Sequence, residues 1–278
     1  MNDIQNVLYN MMKTIHRICV EHDICYYMIG GTMLGSVRHK GFIPWDDDID
    51  IGMPREDFNK FLNLAIKALP EWMELEVPGE RSGEYNFGFA KIADANTTLV
   101  EKYDTMERTW GIFIDIFPLD GLGNNKAKSI LRFMVARYRF LLLKLNQNLT
   151  HQGKNIADCV LRNGLRIYAK ALGEKKLYRN LVRYAGKNSF YKSNYVANLV
   201  GSASMKEFME LKYFGRPKKY KFESDEFFGV EDADSYLSNL YGNYKVLPPE
   251  EKRVPHHGIT FMTDMPYRDY MKRQSHEQ

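Results

Sequence analysis

The sequence predicts an α+β fold in which a mixed β-sheet with flanking helices is joined to a basic helical lobe. The first 120 residues contain six strand-like segments and a few helical ones, and long helical periods replace them after Gly121–Gly123. The net charge changes at the same place, from −9 over residues 1–120 to +14 over 121–200 and −1 over 201–278. We therefore predict four parts of the chain. They are a core over 1–122, a basic helical lobe over 123–192, a mixed segment over 193–260 that returns to the core, and a loosely held polar tail over 261–278.

Apolar periodicity, turn residues and prolines place the individual elements. Residues 4–22 repeat apolar side chains at intervals of three and four, which predicts an amphipathic helix. Gly30-Gly31 predicts a tight turn that opens a helix, and Pro54 suits the first position of another helix because its ring presets the helical φ. The further predictions are strands over 25–29, 48–53, 73–77, 86–92, 97–101, 111–117, 194–199 and 212–222, helices over 54–69, 125–147, 154–186 and 232–241, and an extended crossing at 247–249.

The composition excludes several classes of protein. A hydrophobic fraction of 44% with 37 aromatic residues is enough to bury a core, so most of the chain is not disordered. Cys19, Cys25 and Cys159 have no CxxC spacing, which argues against a disulfide framework and a zinc site and fits a reducing compartment. No apolar run is long enough to span a bilayer, and the polar N-terminus lacks the features of a signal peptide. We predict a cytoplasmic protein.

Four carboxylates occupy the five positions from Asp46 to Asp50. On a strand, where side chains alternate, Asp46, Asp48 and Asp50 would share one face. Such a face repels itself unless a cation neutralises it, and oxygen ligands suit a hard divalent cation such as Mg²⁺ or Mn²⁺. A solvated acidic turn is the alternative, but the apolar residues that alternate with the acids favour a metal site.

A phosphate-binding turn is predicted upstream of these acids. Gly30-Gly31-Thr32 ends a strand and opens a helix, where backbone N–H groups and the positive end of the helix can hold a phosphate, although an ordinary turn has the same composition. Such a turn, followed by a helix and a strand with Asp-x-Asp, is the layout of the nucleotidyltransferase fold. That layout requires a third carboxylate on a neighbouring strand, which Asp115 can supply. The alternative is a structural ion pair of Asp115 with Lys91 or Arg108, because a buried carboxylate needs a partner.

The 31 residues from Met28 to Phe58, MIGGTMLGSVRHKGFIPWDDDIDIGMPREDF, resemble the signature of the LicD family. This family comprises bacterial phosphocholine transferases related to the fukutin-type enzymes that use CDP-ribitol. The basic middle segment contributes little to the resemblance, which extends from about residue 5 to residue 258. Three further segments resemble the same family: Phe89–Thr98 (FAKIADANTT), Gly111–Gly121 (GIFIDIFPLDG) and Tyr241–His257 (YGNYKVLPPEEKRVPHH).

The resemblance implies a metal-dependent transfer of a phospho-alcohol, typically phosphocholine, from a CDP-activated donor such as CDP-choline to a sugar hydroxyl, with release of CMP. The acceptor would be a cell-surface glycan, namely a teichoic acid, lipopolysaccharide or capsule precursor, which can be lipid-linked. Asp48, Asp50 and Asp115 would hold Mg²⁺ or Mn²⁺, and Asp115 could also accept the proton of the attacking hydroxyl.

The matched segments also contain predicted phosphate ligands. Gly30, Gly31 and Thr32 would hold the donor phosphates through the turn described above. Arg38, His39 and Lys91 are candidate cationic partners of the same phosphates. Ordinary surface charge is the alternative for Arg38 and Lys91, and their place in matched segments argues against it.

Two further groups of residues are expected at the substrates. His256 and His257 follow a Pro-Pro crossing beside Arg253, and adjacent residues of a strand face opposite sides, so one of the two histidines is expected in the site. A choline group requires an aromatic cage, for which Trp45 is a candidate. The other available aromatic residues, most of which are expected in the core, are Trp110, Tyr85 and Phe87.

Residues 126–145 are predicted to form a helix that can lie on an anionic membrane surface or against an anionic acceptor. Helical projection places an apolar arc between two rows of cations, as in helices that lie in a membrane interface. The same pattern suits a core-facing helix whose long cations lie at its edges. The rows are Lys126, Arg137, Lys144 and Lys128, Arg132, Arg139, and the arc contains Ile130, Leu131, Met134, Val135, Tyr138, Leu141, Leu142 and Leu145.

Two other functions stay open as alternatives. The same carboxylates would serve a nucleotidyltransferase that consumes a nucleoside triphosphate, modifies a small molecule or protein and releases pyrophosphate. The basic segment alone would fit a nucleic-acid-binding protein. The acidic strand argues against that interpretation, because it repels a phosphate backbone unless metal is bound, so no nucleic-acid partner is expected.

Overall fold

A mixed sheet of nine strands and a second sheet of three strands organise the described part of the chain. The computed structural model describes residues 1–77, 88–103, 106–147, 156–253 and 259–276. Helices flank the sheets, which confirms the prediction of a protein with a mixed sheet and flanking helices.

The elements follow one another in this order: α1 (Asp3–Glu21), β1 (Tyr27–Met28), α2 (Gly30–His39), β2 (Asp50–Pro54), α3 (Arg55–Ala68), β3 (Met73–Glu76), β4 (Ala90–Asp94), β5 (Thr98–Tyr103), β6 (Met106–Trp110), β7 (Phe113–Gly123), α4 (Lys126–Asn146), α5 (Ile156–Leu172), α6 (Glu174–Ala185), β8 (Tyr195–Asn198), β9 (Phe208–Glu210), α7 (Leu211–Phe214), β10 (Lys218–Phe222), β11 (Asp225–Gly229), α8 (Ala233–Tyr241), β12 (Ile259–Met262) and α9 (Tyr267–His276). Short 3-10 helices cover Ser204–Glu207 and Glu250–Lys252.

The large sheet has the strand order β10-β11-β1-β2-β7-β4-β3, and β8 pairs with β7 and β9. The pairs β1–β11 and β2–β7 are parallel. Strand β7 pairs with β2 and β4 through its first residues and with β8 through its last ones. Because β2 and β7 run in the same direction, their N-terminal ends meet at one edge of the sheet.

Helix α1 confirms the predicted amphipathic helix. The Asn2 side chain accepts from the Gln5 amide, and the Gln5 side chain accepts from the Asn2 amide, which together form a capping box. Leu8, Met11 and Ile15 are fully buried, and each such side chain contributes about 1.5–3 kcal/mol. Gln5 Nε2 also donates to the Asp46 carbonyl at 2.9 Å, so the same helix anchors the acidic segment.

Helix α4 joins the basic segment to the large sheet. Its buried face contains Phe133, Ala136 and Phe140, and it packs on β7 and β8. Three cations that the helical projection placed at the edges of the apolar arc bind carbonyl oxygens of the protein. Arg132 donates to Leu122 O at 2.8 Å, Arg137 to Gly201 O at 2.6 Å and to Leu199 O at 3.1 Å, and Arg139 to Asn180 O at 3.0 Å. These contacts fit the second of the two predictions for residues 126–145, a core-facing helix whose long cations lie at its edges.

Local conformation and long-range pairing correct four predictions. The helix expected over 154–186 is two helices, because Gly173 adopts a φ of +77° that ends α5. The segment 212–222 contains α7 before its strand, and β6 lies where no strand was expected. The tail is not loose over 259–276, since β12 pairs with β5 and the buried Tyr267 donates to Glu74 at 2.8 Å. The β12–β5 pair and the Tyr267–Glu74 contact join residues far apart in sequence, so local patterns do not reveal them.

Among the helices of the described residues, none has the length and apolar character needed to cross a membrane.

Candidate active site

Charged residues form a row across four neighbouring strands of the large sheet. Asp50 of β2 is the register partner of Asp115 of β7, and Asp115 is the partner of Lys91 of β4. Lys91 is in turn the partner of Glu76 of β3. Directly paired residues point to the same face of a sheet, so the Asp50 and Asp115 side chains lie side by side. The predicted third carboxylate is therefore on the strand next to β2.

Asp115 has an ion-pair partner. Lys91 Nζ donates to Asp115 Oδ1 at 2.8 Å and lies 3.4 Å from the centroid of the Phe113 ring. Arg108, the other partner that was considered, pairs with Glu76 instead. The Lys91 ion pair was the alternative interpretation of Asp115, and the structure contains it beside Asp50. Lys91 is thus placed at a carboxylate, whereas its predicted contact with a donor phosphate stays a prediction.

The acidic segment is a loop that leads into a strand. Strand β2 begins at Asp50, so Asp46 and Asp48 precede it, and the expected continuous strand from Asp48 is wrong at its start. The loop nevertheless directs these carboxylates to one place, because Asp46, Asp48 and Asp50 all line a cleft of about 710 Å³. Asp46 is buried, and its amide donates to Ile43 O at 2.9 Å.

Gly30 and Gly31 make room for these carboxylates. A Cβ on Gly30 would lie 3.0 Å from Asp50 Oδ2, and one on Gly31 would lie 2.9 Å from Asp46 Oδ2. Gly30 also has a φ of +55°, which favours glycine. The two glycines are the first residues of α2, so the positive end of this helix faces two carboxylates.

Two hydrogen-bonding groups of this turn are engaged inside the protein. The Gly30 amide donates to the Tyr236 hydroxyl at 3.0 Å, and Thr32 Oγ1 accepts from the Asp50 amide at 2.8 Å. The turn thus positions Asp50 directly. Its predicted contact with donor phosphates stays a prediction.

Electrostatic repulsion is concentrated at Asp50. Burial and then the charges of Asp48, Asp115 and Asp46 raise its pKa well above the usual value for a carboxyl group. Burial raises the pKa of Asp115 as well, while Lys91 lowers it. These carboxylates are more easily ionised when a cation is near.

Predicted cations and an aromatic ring lie in the cleft wall or next to it. Arg38 and Trp45 line it, and Arg38 Nη1 donates to Tyr244 O at 3.2 Å. Arg38 Nε donates to His39 Nε2 at 2.9 Å, which makes this nitrogen an acceptor, and burial and Arg38 lower the His39 pKa. The Arg253 guanidinium lies 5.8 Å from the Trp45 ring centroid, and His39 meets that ring edge-on at 6.4 Å. Arg38, His39, Trp45 and Arg253 therefore form one cluster.

Other predicted residues are elsewhere. His256, His257, Tyr85 and Phe87 lie outside the described residues. Trp110 is buried in β6, where Arg108 covers its ring at 4.8 Å, so it is a core residue and not a wall of the cleft.

Tyr241 and Glu207 belong to the site although neither was predicted there. A smaller cavity of about 140 Å³ is lined by Asp50, Tyr241 and Glu207 together with Asn198 and Tyr236. Tyr241 keeps 45% of its surface exposed, and desolvation and then the charges of Asp50 and Asp46 raise its pKa. Tyr241 is the first residue of the segment Tyr241–His257, which resembles the LicD family, so that resemblance could have indicated it as a site residue. Glu207 is a single acid in SMKEF and carries no such indication.

Glu207 is a further acid with a raised pKa in this region. Burial raises its pKa to about 7, and its bond from the Ala203 amide and the charge of Arg137 lower it. Its carboxylate lies 2.3 Å from the position of a Cβ on Gly201, whose carbonyl Arg137 holds. Arg137 therefore connects the basic helix α4 with the wall of the smaller cavity.

The carboxylates of the cleft suit a divalent cation that also binds substrate oxygens. Within the described ranges, no three His, Cys, Asp or Glu side chains converge closely enough to form a metal site on their own. Mg²⁺ commonly binds through one or two carboxylates and completes its coordination with water and substrate phosphates. The Asp48 and Asp50 carboxylates at the floor of a cleft fit that kind of site.

One family model and three proteins match parts of this chain. Residues 23–132 match the model of the family described as LicD/FKTN/FKRP, nucleotidyltransferase domain. The chain is similar to the lipopolysaccharide cholinephosphotransferase LicD of Haemophilus influenzae, with 29% identity over 256 residues that cover 91% of this chain and 94% of that protein. Shorter similarities connect it with uncharacterized proteins of Rickettsia typhi (43% over 68 residues, 24% of this chain and 21% of that one) and Rickettsia prowazekii (50% over 50 residues, 18% and 19%).

Proposed function

Because the chain carries a LicD-family domain over residues 23–132, we propose that it is a transferase that moves a phospho-alcohol from a CDP-activated donor to a sugar hydroxyl of a cell-surface glycan and releases CMP. The observation that carries the proposal is the pairing of Asp50 with Asp115 beside the cleft. Phosphocholine is the proposed group and CDP-choline the proposed donor, and the similarity to the Haemophilus cholinephosphotransferase supports the choline. Teichoic acid, lipopolysaccharide and capsule precursors are the proposed acceptors.

The proposed core is nucleotidyltransferase-like. A glycine turn opens α2, the next strand carries Asp50, and a further acid stands on the adjacent strand. These three features support a nucleotidyltransferase-like core. In such a core the phosphate, the cation and the acid must meet at one end of neighbouring strands. Domain limits at residues 122, 192 and 260 are part of the same proposal.

Mg²⁺ is the proposed cofactor, and Mn²⁺ would suit the same oxygens. Asp48 and Asp50 would hold it, with Asp115 next to them. When bound, the ion would neutralise negative charge on the pyrophosphate and on the leaving CMP. The elevated pKa of Asp50 supports this proposal, since a neighbouring cation relieves the repulsion that causes it.

Residues in and beside the cleft would accept the proton and bind the phosphates during the transfer. The acceptor oxygen bonds to the distal phosphorus while the bond from that phosphorus to the bridging oxygen breaks, and the electron pair leaves with CMP. Asp115 accepts the hydroxyl proton, and its bond from Lys91 fixes the carboxylate. Arg38, which lines the cleft, and Arg253, which lies against the Trp45 ring, would bind the phosphates together with His39.

The choline group would lie against aromatic rings and carboxylates. Trp45, Tyr241 and Tyr244 line the cleft together with Asp46 and Asp48. An aromatic face and a nearby negative charge both attract a quaternary ammonium, which cannot form hydrogen bonds. This combination supports choline over an uncharged alcohol. A cytoplasmic location belongs to the proposal because the donor is a nucleotide.

A donor panel tests the proposal. The protein is incubated with Mg²⁺, a glycan acceptor and CDP-choline, CDP-ethanolamine, CDP-ribitol or CDP-glycerol, and CMP is measured. We expect acceptor-dependent release of CMP, fastest with CDP-choline, and its loss with EDTA. A parallel reaction with nucleoside triphosphates is followed by pyrophosphate release. Pyrophosphate without CMP would favour the nucleotidyltransferase alternative, and activity unaffected by EDTA would remove the metal from the proposal.

A further inference from the structure

The smaller cavity adjoins the cleft but differs from it in charge. Asp50, Ser202 and Tyr241 line both spaces, so the two meet at a carboxylate that is proposed to hold the cation. Arg38 lines the cleft, whereas no Lys, Arg or His is among the described residues that line the smaller cavity. The cleft is therefore suited to an anionic donor, and the smaller cavity is not.

The volume of the smaller cavity limits what it can hold. At about 30 Å³ per water molecule, a space of about 140 Å³ has room for roughly five waters. A nucleotide needs a space of several hundred Å³, which the cleft of about 710 Å³ provides. The smaller cavity can take one compact polar group, such as the reacting part of a sugar ring.

Two hydrogen-bonding side chains of the smaller cavity approach each other over Gly201. A Cβ on this glycine would clash with both Glu207 Oε1 and Asn198 Nδ2, so the pair needs a residue without a side chain there. Arg137 holds Gly201 in place by donating to its carbonyl at 2.6 Å. Asn198 is fixed as well, because Val200 N donates to its Oδ1 at 3.2 Å. The lining thus contains a carboxylate acceptor beside an amide donor.

Aromatic side chains complete this lining. Phe117 follows Asp115 by two positions in β7, so both side chains point to the same face of the sheet. Tyr236 is buried, and its hydroxyl accepts from the Gly30 amide at 3.0 Å. Carboxylates and amides bind the hydroxyls of a sugar, and aromatic rings pack against its apolar C–H groups. The lining of the smaller cavity therefore suits a sugar ring.

We propose that the smaller cavity binds the acceptor sugar as an uncharged ring, with Glu207 and Asn198 on its hydroxyls, while the donor occupies the cleft. This inference rests on the proposed function and adds the position and the charge class of the acceptor. A hydroxyl at the border of the two spaces faces Asp50, with Asp115 on the adjacent strand. Its oxygen bonds to the distal phosphorus as CMP leaves with the electron pair of the broken bond, and its proton passes to Asp115.

Hydrogen-bonding capacity distinguishes a sugar from the choline group in this cavity. A quaternary ammonium cannot form hydrogen bonds, so it offers nothing to the Asn198 amide or to the Ser202 hydroxyl. A sugar hydroxyl both donates and accepts, so one ring can bind the Glu207 carboxylate and the Asn198 amide together. An anionic sugar is disfavoured, because the Glu207 carboxylate repels a second negative charge at short range.

Sugar binding without turnover tests the proposal. Methyl glycosides of glucose, galactose and glucuronic acid are titrated against the full chain, and binding is followed by saturation-transfer NMR at pH 8. Burial raises the pKa of Glu207 to about 7, so this carboxylate is mostly ionised at that pH. We expect a neutral glycoside to bind and the glucuronide to bind at least about tenfold more weakly, because like charges repel in a buried site.

Two variants keep the shape of the cavity and change its polar groups. Asn198→Asp retains the oxygen that accepts from Val200 N but loses the amide donor, and it should weaken binding of the neutral glycoside about tenfold. Glu207→Gln should narrow the difference between neutral and anionic glycosides, because it removes the repelling charge. Glu210→Gln and Asn180→Asp are the matched controls, since neither residue lines the cleft or the smaller cavity, and they should bind as the unchanged protein does.

Separate titration of the donor distinguishes failure of this inference from failure of the proposed function. CDP-choline with Mg²⁺ should bind equally to all variants and should not displace the glycoside. In steady-state assays, Asn198→Asp should raise the acceptor KM about tenfold and leave the donor KM unchanged. Circular dichroism melts check that every variant folds, and Glu207→Gln provides the test if Asn198→Asp does not.

Three results would overturn the proposal. They are the absence of binding by the neutral glycosides, equal binding of the glucuronide, and unchanged binding in both cavity variants. Weaker binding of CDP-choline in these variants, or displacement of the glycoside by CDP-choline, would also overturn it, because the smaller cavity would then hold part of the donor. Sugar binding without donor binding or CMP release would instead remove the proposed function and leave a sugar site.

Discussion

The floor of the cleft and the basic lobe use charge in opposite ways. At the floor, Asp46, Asp48 and Asp50 are crowded together with Asp115 beside them, and burial and these neighbouring charges raise the pKa of Asp50. In the lobe the charges are mostly cationic and are distributed over several helices, where water or backbone carbonyls solvate them. Removing a charge at the floor should therefore alter both turnover and the free energy of unfolding. Removing one in the basic lobe should change neither by much.

The largest effect is expected at Asp50. Asp50→Asn should abolish turnover, by about a thousandfold or more, because the proposed cation loses a carboxylate. The raised pKa of Asp50 means that its stabilising contribution is present below the unfolded-state pKa and is lost as pH rises through the folded-state pKa. The variant should consequently be more stable than the unchanged protein above that pKa and similar to it in acid.

Urea unfolding at several pH values without metal measures that stability, and CMP release measures turnover. Asp47→Asn is the matched control, since Asp47 belongs to the same loop but is not among the residues that line the cleft. Full activity in Asp50→Asn would remove the central proposal. A loss of stability at high pH would instead show that Asp50 stabilises the fold as an ion.

A second large effect is expected at Lys91. Lys91→Met leaves Asp115 without its 2.8 Å partner in a buried position, which should cost about 3 kcal/mol of unfolding free energy. Adding Asp115→Asn to Lys91→Met should recover most of that loss, because the carboxylate that lost its cationic partner is then replaced by a neutral amide. Turnover should fall in both variants.

The buried pair of Arg55 with Asp120 separates structure from chemistry. Arg55 donates to Asp120 through two bonds of 2.8 Å away from the cleft lining. Arg55→Met should destabilise the protein by a similar amount, while leaving turnover of the folded fraction unchanged. Equal losses of turnover per folded molecule in Arg55→Met and Lys91→Met would contradict a special role for Lys91.

Glu207 is expected to have an intermediate effect that depends on pH. Its pKa is raised to about 7, so its stabilising contribution is present below about pH 4.5 and is lost as pH rises through 7. Glu207→Gln should therefore gain on the order of 2–3 kcal/mol relative to the unchanged protein at pH 8 and little at pH 4. Glu210→Gln, at an exposed pair with Lys212, is the control. A gain that is equal at both pH values would contradict the buried, ionisable state of Glu207.

The smallest effect is expected in the lobe. Arg162 pairs with Asp158 at 3.0 Å one turn away, and both side chains are about one third exposed. Such pairs contribute a few tenths of a kcal/mol, so Arg162→Gln should change the unfolding free energy by less than about 0.5 kcal/mol. Thermal unfolding checks this. A loss above about 1 kcal/mol would mean that the lobe depends on its charges as the floor does.

Much of the fold was predictable because many elements are locally specified. The apolar period of α1, the proline before α3 and the alternation near β2 each predicted the right kind of element. The break at Gly173 and strand β6 were missed because they depend on a single backbone angle and on a pairing partner. At the site, Asp50 and the third carboxylate were predicted from their pattern, whereas Glu207 was not, since a lone acid acquires its character from what buries it.

The local patterns of this chain are sufficient to indicate a mixed sheet, an acidic cluster that needs a cation and a cationic helical segment. Long-range packing settles which of these charges meet. The register of β2 with β7 and of β7 with β4 places Asp50, Asp115 and Lys91 in one row. Packing of α5 through Leu165 and Ala169 leaves its other apolar side in solvent. Periodicity reveals that a helix has an apolar face, but whether protein or solvent covers that face depends on residues distant in sequence.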